Sequence, residues 1–516
     1  MTDARRHQPD SARRNNWNNQ VRRHALMNAD GVALRFLGAT TTWRELADRT
    51  DRLAGALHGR GVGFGDRVLI LMLNRPDYLE SVLAINALGA IAVPVNFRMT
   101  PPEVVYLAEN SGSMLLITDA TLAPLATAVA AQVGSLTETI VVGGDADTYR
   151  GLLDENAPAP DVDVPDDTAA LVMYTSGTTG RPKGAVLSHA NMQSQALTCI
   201  RALRMHGGDQ VGFCASPMFH IAALGSLAPS LLLGIPTVVH PVGAFDPAAL
   251  LDVLEAERVT TLFLVPVQWQ AMCAEQARSP RKLALQVISW GAAPASDTVL
   301  RAMSDTFPDA LNVAVFGQTE MSPITCVLDG EDALRKIGSV GTVIPTIAAR
   351  IVDDEMNDVP RGEIGEIVYR GPTLMHGYWQ NPTATADAFD GGWFHSGDLV
   401  RQDEEGFVFV VDRKKDMIIS GGENIYCAEI ENVLFSHPHI LEAAVVGRPD
   451  DRWGEVPVAV VALTDTSPDL TLTELTDWLG DHLARYKHPK ELVVVESLPR
   501  NASGKVVKVA LRQSVS

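Results

Sequence analysis

The segment Tyr174-Thr-Ser-Gly-Thr-Thr-Gly-Arg-Pro-Lys-Gly184 gathers four hydroxyl side chains (Thr175, Ser176, Thr178, Thr179), one ammonium (Lys183) and three glycines (Gly177, Gly180, Gly184). Glycine lets a backbone approach a ligand closely and take positive φ, while hydroxyls, loop amides and an ammonium all donate hydrogen bonds. The segment therefore reads as a cradle for phosphate oxygens. Its spacing is not GxxxxGK[ST], which excludes the P-loop of kinases and GTPases. A second glycine cluster, Gly61-Val-Gly-Phe-Gly65, precedes a strand instead of following one, so it is not a dinucleotide fingerprint. The five cysteines (Cys199, Cys214, Cys273, Cys326, Cys427) are isolated and form no CxxC pair, which argues against a disulfide framework or zinc cluster and for a reducing compartment. No Ser/His/Asp or Cys/His arrangement compels a covalent enzyme intermediate. His220, taken alone, reads as a satisfied core histidine.

The elements that must hold this loop follow from the apolar pattern. Leu171-Val-Met173 reads as a strand entering the loop, and a helix is expected near Ser188. Upstream, Thr42-Trp-Arg-Glu45 is a capping box opening a helix that runs to the glycines at 59 and 61. Val68–Leu73 is a continuous apolar run of the kind found in strands buried on both faces. A helix over 78–88, a strand over 91–95, a helix after Pro101-Pro102 and a strand over 114–118 complete a βαβ pattern, hence a parallel sheet. The Pro- and Asp-rich residues 155–168 mark a surface connection, and a second alternating block runs from Ala169 to about Thr325. From 347 to 411, short strands broken by Gly and Asp turns suggest a small β-rich subdomain. An α+β segment follows Lys415, with a helix over 472–486 opened by Thr471 and Glu474. Residues 210–245 carry no Asp, Glu, Lys or Arg and are long enough to span a bilayer. Pro217, Pro229, Pro236 and Pro241 cut them into pieces that better suit a buried strand–helix–strand.

Acidic residues outnumber Lys plus Arg by 62 to 42, a net charge of −20 that disfavours nucleic-acid binding and obliges a polyanionic ligand to find a local positive spot. The 46% hydrophobic content supports more than one core in a chain of 516 residues. The N-terminus holds three arginine pairs and no apolar run, so it is not read as a secretory signal. Residues 1–20 are expected to form a flexible basic arm. No transmembrane segment is expected, a peripheral membrane contact stays open, and the localisation that fits is cytoplasmic.

Residues 175–184 resemble the AMP-binding signature of the adenylate-forming superfamily, which contains acyl-CoA synthetases, luciferases and nonribosomal adenylation domains. Further matches occur in the family's order: Phe219-His220, Gly291-Ala-Ala-Pro294, Phe316-Gly-Gln-Thr-Glu320, Trp393-Phe-His-Ser-Gly-Asp398, Asp412-Arg-Lys-Lys-Asp416, Gly421-Gly-Glu-Asn-Ile425 and Pro499-Arg-Asn-Ala-Ser-Gly-Lys505. The resemblance implies an α/β fold. It has a large N-terminal domain of two βα-layered subdomains plus a small β-barrel-like subdomain (1–412), a hinge (413–416) and a small mobile α+β C-terminal domain (417–516). It further implies that Thr175, Ser176, Gly177, Thr178, Thr179, Gly180 and Lys183 hold phosphates, and that Glu320 with Thr175 takes Mg2+. Gly291, Ala292 and Ala293 would border the adenine on which Phe316 stacks, beside Gly317, Gln318 and Thr319. Asp398 would clamp the ribose with Arg413 as its cationic companion. Lys505 would stabilise the charge that develops when a carboxylate attacks the α-phosphate. Lys415 matches the hinge, and Gly421, Gly422 and Glu423 would meet CoA.

Nonribosomal adenylation domains that read amino acids typically carry an Asp just after the aromatic at position 219. Here His220 and an apolar run follow, so resemblance to the acyl-CoA synthetase branch implies an apolar acyl pocket. Its expected lining is Phe219, His220, Ala222, Ala223, Gly225, Val265, Trp290, Gly291 and Met321, with Trp290 narrowing the pocket or acting as a lid. The reaction implied is two-step: a fatty acid of medium to long chain and ATP give an acyl-adenylate, and CoA then displaces AMP. Fatty acid, ATP, CoA and Mg2+ are thus the expected partners, and the reading leaves room for a homodimer. Two rivals are an acyl-AMP ligase that serves a carrier protein and a non-catalytic acyl- or nucleotide-binding regulator.

Overall fold

The computed structural model describes residues 13–145, 147–175, 181–293, 295–421, 423–464, 470–480, 482–500 and 506–515. It divides into two compact units, residues 1–348 with 369–394, and residues 349–368 with 395–516.

The first unit carries three sheets. The largest has six strands in the order Glu138–Val142, Leu115–Asp119, Arg67–Leu71, Ile91–Pro94, Ala169–Thr175 and Lys183–Ser188. Its first four pairings are parallel and the last is antiparallel. Leu69, Ile70 and Leu71 are fully buried, which is why this strand shows no polar alternation: helices cover both faces of a parallel sheet. One such helix, Trp43–Gly59, opens on the expected box, with Glu45 N–H donating to Thr42 Oγ1 and Thr42 N–H donating to Glu45 Oε2. The second sheet runs Thr261–Leu264, Val287–Gly291, Leu311–Gly317, Ile324–Leu328 and Thr342–Val343. Its first two pairings are parallel and its last two antiparallel. The third contains Ala39–Thr42, Val32–Phe36, Thr237–Val239 and Gly212–Cys214. The uncharged stretch folds as the strand Gly212–Cys214, the helix Ile221–Leu233 and the strand Thr237–Val239. Among the described residues no helix is long and apolar enough to cross a membrane.

Two local expectations change. Residues 13–20 are not an arm: Asn16 caps the helix Trp17–Met27, Trp17 and Val21 are buried four residues apart on one face, and Arg14 grips Asp163 with two bonds of 2.9 and 3.0 Å. In the sequence the arginine-rich composition obscures that apolar spacing; residues 1–12 lie outside the described ones. A strand, Lys183–Ser188, intervenes between the glycine–hydroxyl loop and its helix, His189–Ala202, which Ser188 caps. Gly184 lies within this strand, and a Cβ there would crowd Val172 and Tyr174. Its smallness thus serves packing instead of ligand approach.

The second unit holds a four-stranded sheet of Ala348–Val352, Gly365–Arg370, Phe394–Gln402 and Val408–Arg413, which is the small β subdomain. A further sheet combines Glu423–Ile425, Ile418–Ser420, Gly454–Leu463 and Ile440–Asp450, with Glu491–Val495 pairing parallel to Gly454–Leu463. Ile430, Leu434, Leu475 and Leu479 bury against it from the helices Cys427–Leu434 and Leu472–Gly480. The latter helix starts on its Thr471–Glu474 box and is described to Gly480, next to Asp481, which lies outside the described residues; a separate 3-10 turn covers Arg485–Lys487, so the expected continuous helix to 486 is not what forms.

Candidate active site

The loop's two flanks are fixed by antiparallel pairing, with Tyr174 opposite Gly184 and Thr175 opposite Lys183. The far edge of Lys183–Ser188 is covered by residues 376–379. His376 N–H donates to Val186 O, Val186 N–H to Gly377 O, and Trp379 N–H to Gly184 O. That zipper sets Tyr378 beside the loop, where its ring faces the Lys183 ammonium at 5.2 Å.

Glu320 enters from the second sheet on the short 3-10 turn Thr319–Met321, and it is only 8% exposed. Its Oε1 accepts from Thr175 Oγ1 at 3.3 Å and from Tyr378 OH at 3.1 Å, while its backbone carbonyl accepts Met375 N–H at 2.8 Å. The structure thus brings Thr175, Lys183 and Glu320 together and adds Tyr378. Burial, reinforced by the Glu320 charge, raises the Tyr378 phenol well above its ordinary pKa and keeps it a neutral donor. No spacing rule ties a tyrosine to a glutamate 58 residues earlier, so sequence reasoning missed it. Next to it, Tyr174 OH donates to Asn110 Oδ1 at 2.6 Å and Tyr106 OH to Pro182 O at 3.2 Å, bracing the loop's flanks.

Val265, Gly291-Ala292-Ala293 and Phe316–Thr319 follow or end three neighbouring strands at their carboxyl edge, the edge at which parallel sheets receive ligands. Gly291 has no room for a Cβ, which would collide with the Val315 carbonyl, and Ala292 takes a left-handed φ of 64°. Met321 is fully buried. On the helix Ile221–Leu233, the Gly225 Cα face meets Pro323, 3.2 Å from where a Cβ would stand, so this helix abuts the turn that follows Glu320. His220 caps that helix, its Nδ1 accepting Ala222 N–H at 3.2 Å. Phe219 is buried edge-on to Phe97 at 5.3 Å. Ala222 is half-buried and Ala223 fully buried on the same helix. Trp290 is 7% exposed and its Nε1 donates to Asn312 Oδ1 at 2.9 Å, an anchorage that does not suit a swinging lid.

In the second unit Asp398 and Arg413 face one another in register and pair at 2.7 Å, with the carboxylate almost wholly buried. Lys415 is exposed as a residue, yet desolvation of its ammonium lowers its pKa. Gly421, at φ 61°, lies beneath Trp453, whose carbonyl accepts its N–H at 2.7 Å, and Glu423 is exposed. Ser176, Gly177, Thr178, Thr179, Gly180, Gly422 and Lys505 lie outside the described residues.

A metal fits this donor set. Among the described residues no cluster of three His, Cys, Asp or Glu could hold an ion unaided. Mg2+, however, commonly uses one or two carboxylates and completes its shell with water and substrate phosphate, and Glu320 beside the Thr175 hydroxyl offers hard oxygens for that.

Residues 21–379 match the family of AMP-binding enzymes, and residues 429–505 match the AMP-binding enzyme C-terminal domain. The chain is 41% identical over 493 residues to a feruloyl-CoA synthase of Amycolatopsis sp, covering 95% of this chain and 97% of that protein. It is 36% identical over 485 residues to the long-chain-fatty-acid–CoA ligase FadD13 of Mycobacterium tuberculosis, covering 92% and 93%. Among solved structures, o-succinylbenzoate CoA synthetase from Bacillus subtilis, in complex with its acyl-adenylate intermediate, superposes with a TM-score of 0.86 at 32% identity, over 96% of this chain and 98% of that one. The chain belongs to the AMP-binding enzyme family, within the adenylate-forming superfamily, and is an acid–thiol ligase.

Proposed function

We propose that this ligase activates an aryl-substituted carboxylic acid with ATP and passes the acyl group to CoA. A free carboxylate is a poor electrophile, and joining it to AMP supplies a good leaving group. Magnesium, when bound, neutralises charge on the phosphates. The single observation that carries the reading is the meeting of Thr175, Lys183, Glu320 and Tyr378 at the foot of the donor-rich loop. Lys183 supplies a fixed cation for phosphate oxygens, and Thr175 and Tyr378 aim the Glu320 carboxylate. Phe316 offers a π-face to adenine, and Asp398 accepts hydrogen bonds from ribose hydroxyls. Lys505 stabilises the charge that develops at the α-phosphate. Rotation about Lys415 then brings Gly421, Gly422 and Glu423 toward the thiol.

The aryl preference is supported by the feruloyl-CoA synthase at 41% identity and by the edge-to-face pair Phe97–Phe219, a surface suited to a third ring. A second reading, a fatty acid of medium to long chain, draws on the small residues Ala222, Ala223 and Gly225 and on the likeness to FadD13. The free, buried cysteines suit a reducing cytoplasm. ATP–pyrophosphate exchange over a panel of hydroxycinnamic, benzoic, arylacetic and linear C4 to C18 acids tests the proposal, followed by mass analysis with CoA or a phosphopantetheinyl carrier as acceptor. Exchange led by aryl acids, with acyl-CoA as product, is expected. Exchange led by linear acids overturns the aryl assignment, transfer to the carrier alone overturns the CoA assignment, and AMP binding without any exchange overturns both.

A further inference from the structure

Glu366 is a carboxylate with 5% exposure that none of the motifs above includes. Its Oε1 accepts Gly397 N–H at 2.9 Å, and its Oε2 lies 3.1 Å from both His395 Nδ1 and Lys414 Nζ. These partners border the residues assigned to nucleotide binding: Gly397 precedes Asp398, and Lys414 lies between Arg413 and Lys415. The turn is fastened at further points. Ser396 Oγ donates to Ile367 O at 2.5 Å and accepts Asp398 N–H at 3.0 Å, and Lys414 N–H donates to Gly397 O at 2.9 Å. Gly397 sits at φ 71°, a left-handed conformation that glycine takes without strain.

We infer that Glu366 is a positioning residue for nucleotide binding: by gripping Gly397, His395 and Lys414 it fixes the direction of the Asp398 carboxylate and keeps the Lys414 ammonium away from it. This rests on the assignment of Asp398 to the ribose. A buried carboxylate is costly unless its oxygens are filled, and Glu366 takes a backbone donor, an imidazole and an ammonium, which is more than neutralisation requires. Burial alone would lift its pKa, but the hydrogen bonds from His395, Gly397 and Lys414 outweigh burial and lower it, so it stays ionised at neutral pH. Lys414 divides its charge between Glu366 and the exposed Asp354 at 2.8 Å, which leaves Arg413 as the cation paired with Asp398. Ribose contacts are made alike in substrate and transition state, so a misaimed Asp398 weakens ATP binding without slowing the bound complex.

The test uses the full-length enzyme carrying Glu366→Gln, which keeps the shape and an acceptor for Gly397 while removing the charge, beside Lys414→Met and Asp398→Asn. Thermal melting confirms that each is folded. ATP–pyrophosphate exchange at saturating acid is then resolved into KM for ATP and kcat. The expected result for Glu366→Gln is a KM raised roughly tenfold to a hundredfold, the range of a lost charge-assisted bond, with kcat within about threefold of wild type. Lys414→Met should move in the same direction by less. Wild-type KM in a folded Glu366→Gln, or a fall in kcat alone, overturns the inference while the nucleotide assignment of Asp398 stands. A wild-type KM in Asp398→Asn overturns both. Should Glu366→Gln fail to fold, an unchanged KM in Lys414→Met overturns the inference.

Discussion

Replacing Tyr378 by Phe isolates one bond of the site. The substitution removes the hydroxyl that donates to Glu320 Oε1 at 3.1 Å and retains the ring under the Lys183 ammonium, so the 5.2 Å cation–π contact persists. A hydrogen bond to a charged group is worth about 1.5–3 kcal/mol. Thr175 still donates to the same oxygen at 3.3 Å, which puts the loss at the lower end, about 1.5 kcal/mol or about tenfold. A group that orients a metal ligand costs about 10- to 100-fold when removed, in the same range. On the proposal that Glu320 takes magnesium, the lost bond would orient that carboxylate, and the effect should appear in the metal requirement. In ATP–pyrophosphate exchange titrated with Mg2+, half-saturation should rise about tenfold, and the rate at saturating Mg2+ should return to within about threefold of wild type. Glu320→Gln keeps both hydroxyl donors but loses the charge, and added Mg2+ should not restore it. An unchanged Mg2+ half-saturation in Tyr378→Phe, with Glu320→Gln inactive, would refute the claim that the phenol acts through the carboxylate. Full exchange in Glu320→Gln would refute the metal assignment itself.

Two other outcomes follow. His189 is fully buried, neither ring nitrogen has a partner among the described residues, and burial pushes its pKa down to about 4 from an unfolded value of 6.5. The fold therefore favours the neutral ring: this stability is complete above about pH 6.5 and is lost as pH falls toward 4, at most about 3 kcal/mol. His189→Phe should flatten the fall in melting temperature between pH 7 and pH 4.5, and a wild-type acid slope in that variant would contradict the assignment. Lys505→Ala should impair adenylation far more than thioester formation from supplied acyl-AMP, because the ammonium is needed where carboxylate and α-phosphate meet. Equal losses in the two half-reactions would sink that role.

Features governed by neighbours along the chain are legible in the residues themselves. The capping pairs Thr42–Glu45 and Thr471–Glu474 start helices where local hydrogen bonding requires it, and the apolar run at 68 becomes a strand buried on both faces. The site's parts can be named because residue types in order carry the family resemblance. What cannot be read is whatever a distant partner decides. Lys183–Ser188 is a strand because Ala169–Thr175 lies on one side and residues 376–379 on the other. Gly184 is small because Val172 and Tyr174 press on it. Trp290 sits in the core because Asn312 accepts its N–H. Tyr378 belongs to the site through a zipper that no local pattern announces.

That unexpected strand also changes where the positive potential at the phosphates comes from. In a loop running from strand straight into helix, the helix N-terminus faces the anion and its dipole attracts it. Here Ser188, which caps the following helix, is opposite Ala169, whereas the loop leaves from Thr175 and returns at Lys183, at the other end of the same pair of strands. Five strand steps separate the two ends, about 17 Å at ordinary strand rise, well beyond the single turn over which a helix dipole acts. The helix N-terminus therefore lies too far from Lys183 for its dipole to act at the foot of the loop, in a protein whose net charge of −20 repels anions. Among the described residues of the loop the cations are Lys183, held in place by its strand register and by the Tyr378 ring, and Arg181, whose guanidinium lies 5.1 Å from the Tyr106 ring. A cation bound at Glu320 would add to them. This is the physical reason for a tyrosine, a lysine and a glutamate to crowd the foot of the loop. The tyrosine touches both charged groups at once, the lysine through its ring face and the glutamate through its hydroxyl.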